Sequence, residues 1–254
     1  MIKHLTRVLC VLLCILLSMS SHSQEVPELL NEARQLETSL KDEEALTRYV
    51  RVLSIQPNNL TALCKASELS NVIGRRQSTK EKQRQYYNTA LTYARRALSI
   101  SPQSSEANFA MALAMGRLAQ TAGGEKRIEA VRDIKTYAEK SVQYDPNNYK
   151  GYHVLGKWHL EVSSLNSVEK LLVRITYGGL PPASVDDAIR YYEKSRQLNP
   201  AFLLNYLELA RAYKEKDQYE KSRGYIQSMM KMPSVTTDDN RIKNEAKKFL
   251  EELR

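Results

Sequence analysis

Ala188-Ile189-Arg190-Tyr191-Tyr192-Glu193-Lys194-Ser195-Arg196-Gln197-Leu198-Asn199-Pro200 is the stretch that decides the fold. Ala188, Tyr192 and Ser195 fall on one stripe of a helix with 3.6 residues per turn, and Pro200 ends it, because proline lacks an N–H and clashes inside a helix. The stripe recurs upstream. Ala45, Tyr49 and Val52 stand 12, 8 and 5 residues before Pro57, and Ala90, Ala94 and Ala97 stand at the same offsets before Pro102. A fourth run ends at Gln143-Tyr144-Asp145-Pro146, and a looser one at Lys231-Met232-Pro233.

Small residues at fixed points in paired helices resemble the tetratricopeptide repeat, a helix pair of about 34 residues. The first-helix signature is clearest in Tyr152-His153-Val154-Leu155-Gly156, and again in Leu209-Ala210 with Tyr213. The prolines are 45, 44, 54 and 33 residues apart, so three units exceed the period and the last matches it. The surpluses place insertions near Gly74–Gln85, Thr121–Arg132 and Val162–Ser184. Val26–Ser39 and Glu43–Ile55 make the first pair, and Ile242, Ala246, Phe249 and Leu250 mark a final helix, with N-cap chemistry at Thr237-Asp238-Asp239. The expected fold is all-α: a right-handed α-solenoid of about five helix pairs with three insertions and a C-terminal capping helix. A helix pair cannot bury its apolar face alone, so residues 24–254 read as one continuous stack.

Residues 1–23 read as a signal peptide. Lys3 and Arg7 precede an apolar run from Val8 to Met19, and small residues at Ser21 and Ser23 suit cleavage before Gln24. Twelve helical residues span about 18 Å, short of a bilayer core of about 30 Å, so a membrane anchor at residues 8–19 is the alternative. Cys10 and Cys14 both follow Leu, which does not fit a lipoprotein. An exported, periplasmic protein is expected. Only Cys64 then remains, among Ala62, Leu63 and Ala66, and reads as a small buried helix residue. The mature charge is 36 basic against 29 acidic residues, or +7.

Further residues resemble a narrower family. Gly156-Lys157-Trp158 is followed by Gly178-Gly179-Leu180-Pro181-Pro182-Ala183-Ser184, then Asn199-Pro200-Ala201-Phe202 and Asn205-Tyr206-Leu207-Glu208-Leu209-Ala210. This order, with Leu98, Pro102 and the late Pro233 and Thr237-Asp238-Asp239, resembles the regulator of microtubule dynamics family from about Leu60 to Leu253. Ala183 interrupts a Pro-Pro-Ser block of that family. The resemblance implies a binding module, associated in animals with microtubules and, for one member, with membrane contact sites and phospholipid. It transfers no ligand residue to this chain.

No catalytic or metal motif stands out, and no cofactor is implied. His153 and His159 lie about 120° apart around one helix and are not an i, i+4 metal pair. The chain reads as a non-catalytic scaffold that binds a protein or peptide partner in the concave groove, with a lipid module using an apolar cavity near the third insertion as the alternative. Nucleic acid is not expected. The groove positions are Lys150, His153, Lys157 and Leu160 in the fourth unit, and Leu204, Leu207, Arg211 and Lys214 in the fifth. Four cations over an apolar floor would suit an acidic peptide, a carboxylate or a lipid phosphate; the competing reading pairs them with Glu161, Glu208 or Glu215. Leu165, Val168, Leu171, Leu172 and Ile175 mark a helix that either packs into the solenoid or forms a lid or lipid-contacting helix beside the groove, hinged at Tyr177-Gly178-Gly179. Arg75, Arg76, Lys80, Lys82 and Arg84 read as a solvated loop.

Overall fold

The four prolines make the same turn. In the computed structural model, which describes residues 25–121 and 124–253, the N–H of Asn59 donates to the carbonyl of Gln56 at 3.0 Å. Ser104 to Ser101, Asn148 to Asp145 and Phe202 to Asn199 repeat that bond at 3.1, 3.0 and 3.3 Å. Pro57, Pro102, Pro146 and Pro200 each occupy the second position of the turn, where a fixed φ is already correct. Each turn ends one helix and starts the next. Asn59 and Ser104 then cap the new helix by accepting from the N–H three residues on.

Twelve helices follow among the described residues: α1 (residues 25–38), α2 (Asp42–Ile55), α3 (Leu60–Arg75), α4 (Lys80–Ile100), α5 (Ser105–Ala119), α6 (Gly124–Tyr144), α7 (Tyr149–Ser163), α8 (Ser167–Tyr177), α9 (Val185–Leu198), α10 (Leu203–Lys214), α11 (Tyr219–Met230) and α12 (Asp239–Glu252). The pairs are α1–α2, α3–α4, α5–α6, α7–α9 and α10–α11, and α12 packs on the last of them. The first helices α3, α5, α7 and α10 touch one another in order, so they form the inner layer. All nine stripe residues, from Ala45 to Ser195, have no exposed surface. Apolar residues surround α5 on nearly every side, and it is correspondingly buried between its neighbours.

The insertions take three forms. The first is not a loop: Arg75 closes α3, and Lys80, Lys82 and Arg84 belong to α4, capped by Thr79. The second lengthens α6, and both α4 and α6 reach 21 residues. The third adds a helix, α8, begun by a capping box between Asn166 and Glu169 and ended by Gly178 at φ 73°.

The two ends of the stack meet. Arg76 Nη1 donates to Asp42 Oδ2 at 2.8 Å, and Thr237 Oγ1 donates to the same oxygen at 2.6 Å, across 195 residues. Arg75 pairs with Asp238. The expected N-cap works differently from its reading: Asp238 makes no cap bond, while Asp239 accepts from the N–H groups of Val235 and Thr236 at 2.7 and 2.8 Å. Residues 1–23, read as a signal peptide with an anchor as alternative, lie outside the described residues.

Candidate functional site

Two glycines set α7 in place. A methyl group at Gly151 would lie 2.8 Å from Val142 of α6, and one at Gly156 would lie 2.6 Å from the Tyr192 ring of α9. Asn148 starts the helix, accepting from the N–H groups of Lys150 and Gly151. On α10, Asn205 Nδ2 donates to the Tyr192 carbonyl at 2.7 Å. That bond turns Asn205 Oδ1 toward His153 Nδ1, 2.9 Å away, so Nδ1 carries the proton. Burial first of all lowers the His153 pKa to about 4, against the Asn205 hydrogen bond and Glu208. The imidazole is neutral at pH 7.

The expected cations gather on the inner face, but none is free. Lys150 Nζ lies 2.9 Å from Glu68 and 3.5 Å from Glu106, over the Phe109 ring. Lys157 is 3.3 Å from Glu161 and 3.1 Å from Glu208. Arg211 joins Glu208 at 2.8 Å and also pairs with Glu245, and Lys214 is 3.5 Å from Glu252. The open positive groove is therefore corrected: carboxylates of α3, α5, α7, α10 and α12 pair with its cations. Glu208 is almost fully buried. Burial raises its pKa, but Lys157 and then Arg211 outweigh that and hold it below the ordinary carboxylate value. Leu160 and Leu207 are 6% and 0% exposed, so they brace the face from the core instead of flooring it. Leu204 is half-buried.

The sequence reading passed over Arg117 and Arg241 and placed Arg75 in a solvated loop. Arg75, Arg117 and Arg241 come from α3, α5 and α12. A cation inside the apolar run Ala110-Met111-Ala112-Leu113-Ala114-Met115-Gly116-Arg117 was the available signal, because charges are rarely buried unpaired.

At the third insertion, Val168, Leu171, Leu172 and Ile175 are exposed, the last at 73%, so this face of α8 does not pack into the solenoid. Arg132 of α6 donates to the Gly179 carbonyl and fastens the chain after α8. A cavity of about 340 Å³ lies between the end of α7, α8 and the Pro181-Pro182 loop, lined in part by Val162, Val173 and Leu180. Cys64 is buried, and burial, then Glu68, pushes its thiol up to about 12. Among the described residues no three His, Cys, Asp or Glu side chains converge on a metal position.

The family described as regulator of microtubule dynamics protein 1-3 matches residues 29–254. The chain belongs to that family. Regulator of microtubule dynamics protein 3 of Mus musculus is 28% identical over 161 residues, 63% of this chain and 33% of that protein. Regulator of microtubule dynamics protein 1 of Bos taurus is 23% identical over 231 residues, 89% of this chain and 71% of that protein. The chain thus spans about a third of the mouse relative's length. A thermophilic TPR protein of Thermus thermophilus superposes with a TM-score of 0.65 at 14% identity, covering 87% of this chain and 98% of that one. The pilF protein of Pseudomonas aeruginosa gives 0.54 at 15% identity, over 91% and 87%. These two structures share the tetratricopeptide fold. The expected periplasmic destination is corrected: the matched members of the regulator of microtubule dynamics family are proteins of mouse, cattle and other animals, whose cells have no periplasm.

Proposed function

We propose that this helical repeat protein is a non-catalytic module that holds a protein or peptide partner on the inner face of α3, α5, α7 and α10. Lys150, His153, Lys157, Leu204, Arg211 and Lys214 supply the contacts, and Leu160 and Leu207 support them from beneath. The observation that carries the reading is the row of ion pairs that tie the inner helices to one another and to α12. Lys150 reaches Glu68, Lys157 reaches Glu208, and Arg211 reaches Glu245. Side chains already fixed by neighbours lose little freedom when a partner arrives, which favours binding. The buried acids among the described residues are engaged in structural bonds: Asp42 with Arg76, Glu208 with Lys157, Asp238 with Arg75, and Asp239 with the loop before α12. None is left as an acid–base pair. The lipid alternative has less behind it, because the 340 Å³ cavity lies at the low end of small-molecule pockets.

The test is selection of peptides from a random display library against the purified chain. Peptides that bind the native protein and lose at least tenfold in affinity with Leu204→Asp, but not with Lys194→Glu on α9, support the inner face. Failure to select any peptide, or equal binding to both variants, overturns it.

A further inference from the structure

Arg75 at the end of α3 and Arg241 near the start of α12 both approach Asp238, and Arg117 near the end of α5, which packs on α3, lies close enough to feel the charge of both. Their neighbouring carboxylates can be followed one by one. Asp238 pairs with Arg75 and lies 3.7 Å from Arg241 Nε. Glu245 lies 2.9 Å from Arg241 and pairs with Arg211 as well. Glu208 is shared by Lys157 and Arg211, and Glu161 is 3.3 Å from Lys157. These four carboxylates face five cations: Arg75, Arg241, Lys157, Arg211 and Arg117. None of the four lies within ion-pairing distance of Arg117.

Arg117 stands apart from the other four cations. Its Nε is buried without a hydrogen-bond partner, and it forms no ion pair among the described residues. Arg75 Nε is likewise buried and unpartnered. Tyr87 of α4 stands beside both arginines with its ring buried. A guanidinium is always charged in practice, so it cannot escape burial by losing its proton as lysine can. Its planar fork of N–H donors matches the oxygens of a phosphate or carboxylate.

We propose that Arg117, flanked by Arg75 and Arg241, is a binding site for an oxyanion, a phosphate or carboxylate group that gives Arg117 the partner it lacks. Closure of the stack creates the site, since α12 delivers Arg241 and Asp238 to the ends of α3 and α5. The local electrostatics agree. Burial first, then Arg117 and Arg241, draws the Arg75 guanidinium down to about 9, and burial lowers that of Arg117 too. An anion between them relieves both. The site stands whether or not a peptide binds along α7 and α10.

The experiment titrates the full chain with inorganic phosphate and, separately, acetate, at constant ionic strength set with chloride, by calorimetry and thermal melting. At least one of the two anions is expected to bind and raise Tm above the chloride control. Arg117→Gln should weaken that binding at least tenfold. Arg117→Lys, which keeps the charge and loses the fork, should weaken it as well and covers the case in which the first variant does not fold. Lys170→Gln on exposed α8 should leave the affinity unchanged. The two arms separate a phosphate receptor from a carboxylate receptor. Binding no better than chloride for both anions, or affinity unchanged in the arginine variants, overturns the proposal.

Discussion

Gly156 of α7 lies flat against the ring of Tyr192 of α9, so closely that a single added methyl group would sit 2.6 Å from Cδ1. That contact explains why a Leu-Gly step opens this unit and why Tyr192 can be wholly buried. Gly156→Ala should destabilise the chain by about 1–3 kcal/mol, because the ring has no room to retreat. Gly224 of α11 is the opposite case: it is exposed, with nothing within 4 Å of an added methyl. Gly224→Ala should stabilise by about 0.5–1 kcal/mol through helix propensity alone. Urea unfolding followed by Trp158 fluorescence measures both, and equal effects of one sign would refute the packing argument.

Acid should weaken the fold through His153. Its folded pKa is about 4, and an unfolded histidine titrates near 6.5. Between those values the unfolded chain binds a proton that the folded chain refuses, so stability falls as pH drops through that window, by up to about 3 kcal/mol. His153→Gln keeps a donor for Asn205 and removes the titration. Its stability should decline less between pH 7 and 5 than that of the wild type, as read by melts at each pH.

Ion pairs of the same kind should differ in worth by their burial. Glu208→Ala removes the buried carboxylate shared by Lys157 and Arg211, which keep only Glu161 and Glu245, and should cost about 2–3 kcal/mol. Glu252→Ala removes a 3.5 Å partner of Lys214 at the surface and should cost less than about 1 kcal/mol. Chemical denaturation of the two variants side by side would expose an error in this ranking.

Asp42 should influence a helix far from it in sequence. It accepts from Arg76 and Thr237 together. With Asp42→Ala, hydrogen exchange should quicken around residues 235–245 as well as around 42–46. A change confined to the start of α2 would mean that the ends are not coupled.

Much of this architecture was written in plain residue chemistry. A proline at the second position of a turn is a local event, so Pro57, Pro102, Pro146 and Pro200 could be read without the rest of the chain. The stripe of Ala45, Tyr49, Val52 and their counterparts was legible for the same reason. The polar stretch after Gly74 was not, since it lacks apolar periodicity, yet Thr79 is a sound N-cap and α4 simply starts there. Periodicity in α8 revealed a face but not whether anything covers it. The charge pattern of the inner face was legible only as a choice of partners: Glu208 could be named for these cations, but Lys157 and Glu208 are 51 residues apart, and nothing local announces that they meet.

The joining of Thr237 and Arg76 on one carboxylate also bears on how such a chain can change over generations. Repeat arrays with free termini lengthen by duplication, each new copy docking on the last. Here a sixth copy placed between α4 and α11 would carry Thr237 off by the width of a helix pair and leave Asp42 facing water. The count of units is thereby tied to the reach of three side chains, and novelty is steered into the spans between paired helices, where α8 already stands.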